Sequence, residues 1–254
     1  MAPSAKNRNF AKFVRNMKIA LIGYGKMGKA IEEIAVARGH QMVLKVSIDN
    51  LEDNTIEKIR QADVAIEFTG PESAFDNIVR CLDAGVPVVS GSTGWLRRLD
   101  EAREYAGEKN GTMLYASNFS VGVNIFFEIN KRLAALMAPH PEYEVQVTEI
   151  HHTEKKDSPS GTAITLAEGI LEKITRKKGW VNHISDNLEE LEIISERVDP
   201  APGTHSINYL SDIDTISITH TAHSRRGFAT GAVLAAEFIA GKKGIYKMSD
   251  VLGF

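Results

Sequence analysis

Apolar positions run along this chain in two alternating rhythms. Ile19 to Ile22 form a short continuous apolar run that ends in glycines, the pattern of a strand buried on both faces of a parallel sheet. Met27, Ala30, Ile31, Ile34 and Ala35 then recur at helical spacing, and Gly39 marks the stop. Residues 42–48 read as a second strand, so the stretch after Met17 is a βαβ unit. Residues 64–68 are a third strand, and Pro71 is expected in the first turn of the helix that follows. That helix carries Ala74, Phe75, Ile78, Val79 and Leu82 on one face and stops at Gly85. A strand over 86–90, a charged helix over 96–109 and a strand over 112–116 continue the alternation. Such a succession predicts a parallel sheet with helices on both faces.

The rhythm changes beyond residue 118. A helix with Val123, Ile125, Phe126, Ile129 and Leu133 leads into a strand at 143–150, and a further helix spans about 159–178. Three strand-like segments follow near 190–198, 204–210 and 214–220 with no long helix between them. They predict a second, α+β unit with a mostly antiparallel or mixed sheet. From Phe228 through Ala240 the pattern is helical again, placed to pack back on the first unit. The expected division is therefore 17–118 with 229–254 for the first unit and 119–228 for the second.

Composition removes whole classes of function. With 254 residues, 43% hydrophobic and 25% charged, the chain has ample length for a real core and the balance of a globular protein. A formal charge of −3 gives no broad attraction to nucleic acid or to an anionic membrane, so neither is an expected partner. No apolar run approaches the ~20 residues of a membrane span. The single cysteine, Cys81, excludes an intrachain disulfide, fits a reducing cytoplasm and is expected to be a packed, inert thiol. Residues 1–16 hold Lys6, Arg8, Lys12 and Arg15 without an acid or an apolar stretch, and are expected to be a disordered extension.

The glycine turn is the first candidate site. Gly23-Tyr24-Gly25-Lys26-Met27-Gly28 follows a strand and opens a helix, the G-x-G-x-x-G context of a dinucleotide-binding (Rossmann-type) unit. Gly23 permits the turn, Gly25 lets a pyrophosphate approach the backbone, and Gly28 allows close packing of helix on strand. The amides at the helix start favour the phosphate charge. Asp49 ends the second strand about 20 residues on, where a ribose-binding acid is expected.

The second candidate is the run from Glu149 to Ala163. His151 and His152 stand at a strand's end and point to opposite faces, with Lys155 three residues later, all standard proton carriers. Ser158 and Pro159 read as an N-cap and first helical residue. On that reading the amides of Ser160, Gly161 and Thr162 lack intrahelical acceptors and offer a carboxylate a seat. No further ligand stands at metal spacing from the His pair, and His220 with His223 lacks an acidic partner, so no metal is expected. Ser160 is in no nucleophile elbow.

These residues together resemble one family. His151-His152-x-x-Lys155-x-Asp157-x-Pro159-Ser160-Gly161-Thr162 is similar to the signature of the 4-hydroxy-tetrahydrodipicolinate (dihydrodipicolinate) reductases. Gly91-Ser92-Thr93-Gly94, Ser117 to Asn124, Ser224-Arg225-x-x-Phe228-Ala229-x-Gly231-Ala232 and Gly244 to Leu252 resemble its other elements, in the family's order. The resemblance implies an NADH- or NADPH-dependent oxidoreductase of lysine biosynthesis, acting on a small cyclic dicarboxylate, with the second domain serving substrate binding and a homotetramer. It implies His151 and Lys155 as catalytic groups, and His152, Lys155, Ser160, Gly161, Thr162 and Thr93 around the substrate. It implies Gly23, Gly25, Lys26, Met27, Gly28 and Asp49 on the dinucleotide. Phe68, Thr69, Gly91, Thr93, Ser117, Asn118, Phe119 and Arg225 are implied near its nicotinamide end. Two departures stand out: the glycine turn is shorter than the commoner form, and Asn50 replaces an arginine after the ribose acid. With Asp49 there and no arginine beside it, NADH is expected to serve at least as well as NADPH.

Two other readings compete. Another two-domain Rossmann oxidoreductase would explain the glycine turn and leave the His-His-Lys run unexplained. A non-catalytic dinucleotide-sensing regulator would need a partner-binding segment, for which the basic stretch before Met17 is the only candidate.

Overall fold

In the computed structural model, which describes residues 16–224 and 226–254, the first apolar run is strand β1 (Lys18–Ile22), buried from Ile19 onward. The chain turns through the glycines into α1 (Lys26–Ala37) and returns as β2 (Gln41–Val46), parallel to β1. A 3₁₀ segment (Ile48–Asp53) and α2 (Ile56–Ile59) lead to β3 (Val64–Glu67), α3 (Ala74–Asp83) and β4 (Val88–Ser90). A second 3₁₀ turn (Leu96–Arg98), α4 (Leu99–Glu108) and β5 (Thr112–Tyr115) follow. The residues expected to form a disordered extension, up to 15, lie outside those described, as does Arg225.

Strand order in this sheet is β2-β1-β3-β4-β5-β11, where β11 (Gly244–Tyr246) comes from the chain's end, and every pairing is parallel. The chain steps from β1 to β2 on one side and to β3 on the other. Loops at the carboxyl ends of β1 and β3 therefore diverge, opening the crevice where such sheets bind ligands. Helix α7 (Arg226–Ile239) packs against α1 and the sheet, as its apolar spacing predicted, with Ala229, Ala232, Ala235 and Ala236 fully buried. On the opposite face lie α3 and α4, and Cys81 is buried there, its thiol pushed to high pKa by desolvation. Helix α8 (Met248–Leu252) closes the layer with α7.

The second sheet is mixed, with order β10-β9-β6-β8-β7. Its strands are β6 (Glu144–His151), β7 (Gly179–Val181), β8 (Glu190–Arg197), β9 (Thr204–Leu210) and β10 (Thr215–Thr221). The β6–β8 and β7–β8 pairs are parallel, whereas β9 runs antiparallel to both neighbours. Helices α5 (Val121–Met137) and α6 (Gly161–Leu171) pack on this sheet. Strand β6 alternates strictly, burying Val145, Val147, Glu149 and His151 on one face. Two polar groups thus join the same line as the core valines.

Several elements differ from the pattern reading. Pro71 lies in a turn, and α3 begins only at Ala74. The helix expected over 159–178 is the shorter α6, and the one over 96–109 opens as a 3₁₀ turn. Strands β7 and β11 have three residues each, too few for any periodicity to show.

Candidate active site

Each glycine of the turn after β1 has its own constraint. Gly23 has φ +99°, and a Cβ there would fall 2.1 Å from the Phe68 carbonyl oxygen. A Cβ on Gly28 would lie 2.6 Å from the Gly23 oxygen. Packing alone therefore demands glycine at both. Gly25 is different: it is exposed, it is the N-cap of α1, and nothing lies within 4 Å of the Cβ it lacks. No acid or side-chain cap occupies that first turn. Bare amides beside an open backbone suit a pyrophosphate, so the turn fits a dinucleotide. Lys26 beside it is exposed and Met27 half-buried.

Asp49 is exposed at the end of the turn after β2. Ser47 Oγ accepts its amide at 3.2 Å, and Asn50 closes the reciprocal half of a capping box by accepting from the Ser47 amide at 2.7 Å. The Asn50 amide group donates to the Lys45 carbonyl and to Asp53 at 2.9 and 2.8 Å. Asn50 is thus committed to holding the turn that presents Asp49.

Beyond β3, β4 and β5 the loops gather around two phenylalanines. Phe68 and Phe119 have ring centroids 5.6 Å apart, and a Cβ at Gly91 would strike the Phe68 ring at 2.2 Å. Gly91 is glycine so that the ring can lie on its backbone. Thr69, Thr93 and Ser117 are exposed in the same loops. Beneath them stands a group that pattern reading overlooked. Glu67 is fully buried and accepts from Ser90 Oγ at 2.6 Å, Ser92 Oγ at 2.7 Å and the Thr69 amide at 2.8 Å. One carboxylate joins the loops after β3 and β4. The available signal was an acid closing the otherwise apolar run Val64-Ala65-Ile66.

On the second sheet, His151 is buried at the end of β6, with His152 half-buried just beyond it. Lys155 Nζ binds the Asp157 carboxylate at 2.7 and 2.9 Å, and its amide bonds the His152 carbonyl. The expected cap is displaced by two residues. Ser160, not Ser158, caps α6: its Oγ accepts from the Ala163 amide at 3.2 Å, and the helix begins at Gly161. Pro159 precedes the helix instead of opening it. The Ser160 amide is also spent, donating to the Glu149 oxygens at 3.0 and 3.2 Å. Of the three amides expected at the anion seat, those of Gly161 and Thr162 are left at the helix start.

Glu149 is the second overlooked acid, fully buried. Besides Ser160 it accepts from Ser195 Oγ at 2.7 Å, with Arg197 at 3.5 Å and His205 at 3.6 Å. Burial alone would raise its pKa; contacts with His205, Ser160 and Ser195 outweigh that and hold it well below the usual carboxylate range. His151 is pushed down to about 4 by burial first, then by the charges of His205, Lys155 and Arg197, against the pull of Glu149. Ligand atoms of Glu149, His151 and His205 lie within 4.8 Å of one another. The carboxylate already accepts from the Ser160 amide and Ser195 Oγ and is flanked by the Arg197 guanidinium, so the two imidazoles are gathered around an acid whose oxygens are engaged.

The two halves meet through a side-chain bond. Asn118 Nδ2 donates to Thr162 Oγ1 at 3.2 Å, and Asn118 Oδ1 accepts from the Ser120 amide at 2.9 Å. Helix α7 reaches this loop closely, since a Cβ on Gly231 would fall 1.7 Å from the Phe119 carbonyl oxygen. Residues 17–119 match the family model described as dihydrodipicolinate reductase, N-terminus, and residues 122–252 the model of its C-terminus. The chain belongs to the dihydrodipicolinate reductase family. A 4-hydroxy-tetrahydrodipicolinate reductase of Christiangramia forsetii is 50% identical over 236 residues, covering 93% of this chain and 98% of that one. One from Methanosarcina mazei is 36% identical over 240 residues, covering 92% and 89%. A solved structure, dipicolinate-bound dihydrodipicolinate reductase from Paenisporosarcina sp. TG-14, superposes with a TM-score of 0.70 at 22% identity over 91% of this chain and 97% of that one. That likeness is one of fold: a Rossmann-type parallel sheet joined to a smaller mixed sheet. The family is one of oxidoreductases that use a nicotinamide dinucleotide, and this chain is such an enzyme.

Proposed function

We propose that the region where Asn118 meets Thr162 carries out the family's reaction, the NAD(P)H-dependent reduction of 4-hydroxy-tetrahydrodipicolinate to tetrahydrodipicolinate in the diaminopimelate route to lysine. The reduced nicotinamide, when bound, supplies the hydride; the ring loses water and gains a proton. In this reading Gly23, Gly25, Lys26, Met27 and Gly28 hold the pyrophosphate and Asp49 the adenine ribose. Phe68, Thr69, Gly91, Thr93, Ser117, Asn118, Phe119 and Arg225 border the nicotinamide end. One substrate carboxylate sits on the Gly161 and Thr162 amides beneath Lys155, with His152 and Thr93 alongside. Ser160 serves that seat as the helix cap. Lys155 donates a proton, and His151 gives or takes one.

The observation that carries this reading is the convergence of His151, Lys155 and the bare start of α6 in one segment, bonded to the loop after β5 by Asn118 and Thr162. Burial keeps His151 neutral; a dianion beside it raises its proton affinity, so substrate and proton enter together. NADH serves at least as well as NADPH in this reading, because the one carboxylate of Asp49 faces the ribose and Asn50 has neither charge nor a free donor. Among the described residues no helix covers the face of the second sheet opposite α5 and α6, which suits a homotetramer, and the single buried thiol suits a cytoplasmic enzyme.

The test is loss of nicotinamide absorbance with substrate made in situ by the preceding synthase. Pyridine-2,6-dicarboxylate is expected to compete with substrate, and the monocarboxylate far less; equal inhibition removes the two-carboxylate seat. His151→Ala and Lys155→Ala are expected to bind dinucleotide normally and lose ~10²–10⁴ in turnover. Near-normal turnover in either would displace the chemistry from this segment.

A further inference from the structure

Glu149 belongs to neither the dinucleotide turn nor the carboxylate seat, yet it is fully buried and engaged by groups from three other elements. Its carboxylate sits on the covered face of β6, two residues before His151 on the same face. It accepts the Ser160 amide at the start of α6 and Ser195 Oγ from β8. His205, on β9, stands 3.6 Å from its Oε2 and 3.1 Å from Ser160 Oγ. His151 Nδ1 is buried without a hydrogen-bond partner among the described residues, and Glu149 Oε2 lies 3.4 Å away. The two atoms are within reach of each other but not aligned for a hydrogen bond, and contacts of this kind tighten when a ligand fills the site.

We infer that Glu149 is a positioning residue, whose one carboxylate fixes the His151 ring and the first turn of α6 in a single register. The inference rests on the roles given above to His151 and to the α6 start. A buried acid in this place raises the question of what it is for, since an ion pair taken out of water is weak evidence of stability. Here its acceptor sites join the two parts that must touch one substrate at once. The proton carrier comes from a strand end and the carboxylate seat from a helix start ten residues later, and a shared partner keeps their spacing constant. Substrate chemistry is sensitive to such spacing, where a misplacement of ~1 Å costs about 10²-fold.

The experiment compares the parent with Glu149→Gln, Glu149→Asp, His151→Ala and the Glu149→Gln/His151→Ala double variant. Glu149→Gln is expected to lower kcat/KM for substrate by about 10²-fold, with dinucleotide affinity and melting temperature near the parent's. The groups facing His151 are Glu149 on its own strand, His205 on β9, Arg197 on β8 and Lys155 in the following loop. Removing the only anion among them moves the His151 titration, followed by NMR, to lower pH. In the His151→Ala background the same change is expected to cost little more, because Glu149 acts through that ring. Full activity in Glu149→Gln with His151→Ala inactive overturns the inference and leaves the reading of the site intact. Parallel losses of dinucleotide affinity, melting temperature and turnover overturn it in favour of a structural role, and Glu149→Asp, which keeps the charge, would then rescue none of them. Full turnover in His151→Ala overturns the underlying reading.

Discussion

Asn118 and Thr162 are 44 residues apart in sequence and joined by a hydrogen bond of 3.2 Å, so the loop that leaves the first sheet holds the start of α6, the proposed carboxylate seat. Thr162→Val removes the acceptor and keeps the shape. A lost hydrogen bond is worth about 1–1.5 kcal/mol, so the substrate KM is expected to rise up to about tenfold. Dinucleotide affinity, measured by fluorescence titration, should stay at the parent value. An unchanged KM would mean that this bond does not join the two halves of the site.

Gly23 and Gly25 make opposite predictions although both belong to the same turn. Gly23→Ala sets a side chain at φ +99° and 2.1 Å from the Phe68 oxygen. It is expected to lower the melting temperature, with a destabilisation above ~1 kcal/mol. Gly25→Ala enters open space and should leave the melting temperature unchanged while weakening dinucleotide binding at least tenfold. Normal binding by Gly25→Ala would take the pyrophosphate away from this turn.

The depressed pKa of His151 has a consequence for stability. Its folded value, about 4, lies below the ordinary 6.5, so between these the unfolded chain binds more protons. Stability is therefore fully present above about pH 6.5 and declines as pH falls towards the folded value. The loss attributable to this group is at most ~3 kcal/mol. Melting curves between pH 7 and 4 should show a shallower decline in His151→Asn than in the parent; identical slopes would show that His151 is not held neutral in the fold.

For the cofactor, the ratio of kcat/KM with NADPH to that with NADH is expected to be one or less in the parent. Lys26 is exposed beside Gly25, inside the glycine turn. Lys26→Ala should cost NADPH more than NADH, by up to roughly tenfold for one charged hydrogen bond. A parent that strongly prefers NADPH and ignores Lys26→Ala would contradict the reading of Asp49 and Asn50.

What the sequence by itself determined was everything that rests on local period and local chemistry. Strand–helix alternation settled the parallel sheet, because a strand buried on both faces must be apolar throughout and its helix apolar on one stripe. The glycine turn was legible because G-x-G-x-x-G between strand and helix has few uses, and the His-His-Lys run because its spacing resembles one family. Tertiary structure decided what depends on partners distant along the chain. Nothing near Glu149 in sequence sets it apart, and near Glu67 only the apolar run it closes; Ser90, Ser195 and His205 on other strands and Ser92 in the loop after β4 surround them in the fold. The cap moved from Ser158 to Ser160 because the Ser160 amide has a buried carboxylate to bind, contributed from β6. Burial of a charge is tolerated only where several elements deliver hydrogen bonds to it, and no window of neighbouring residues contains that information.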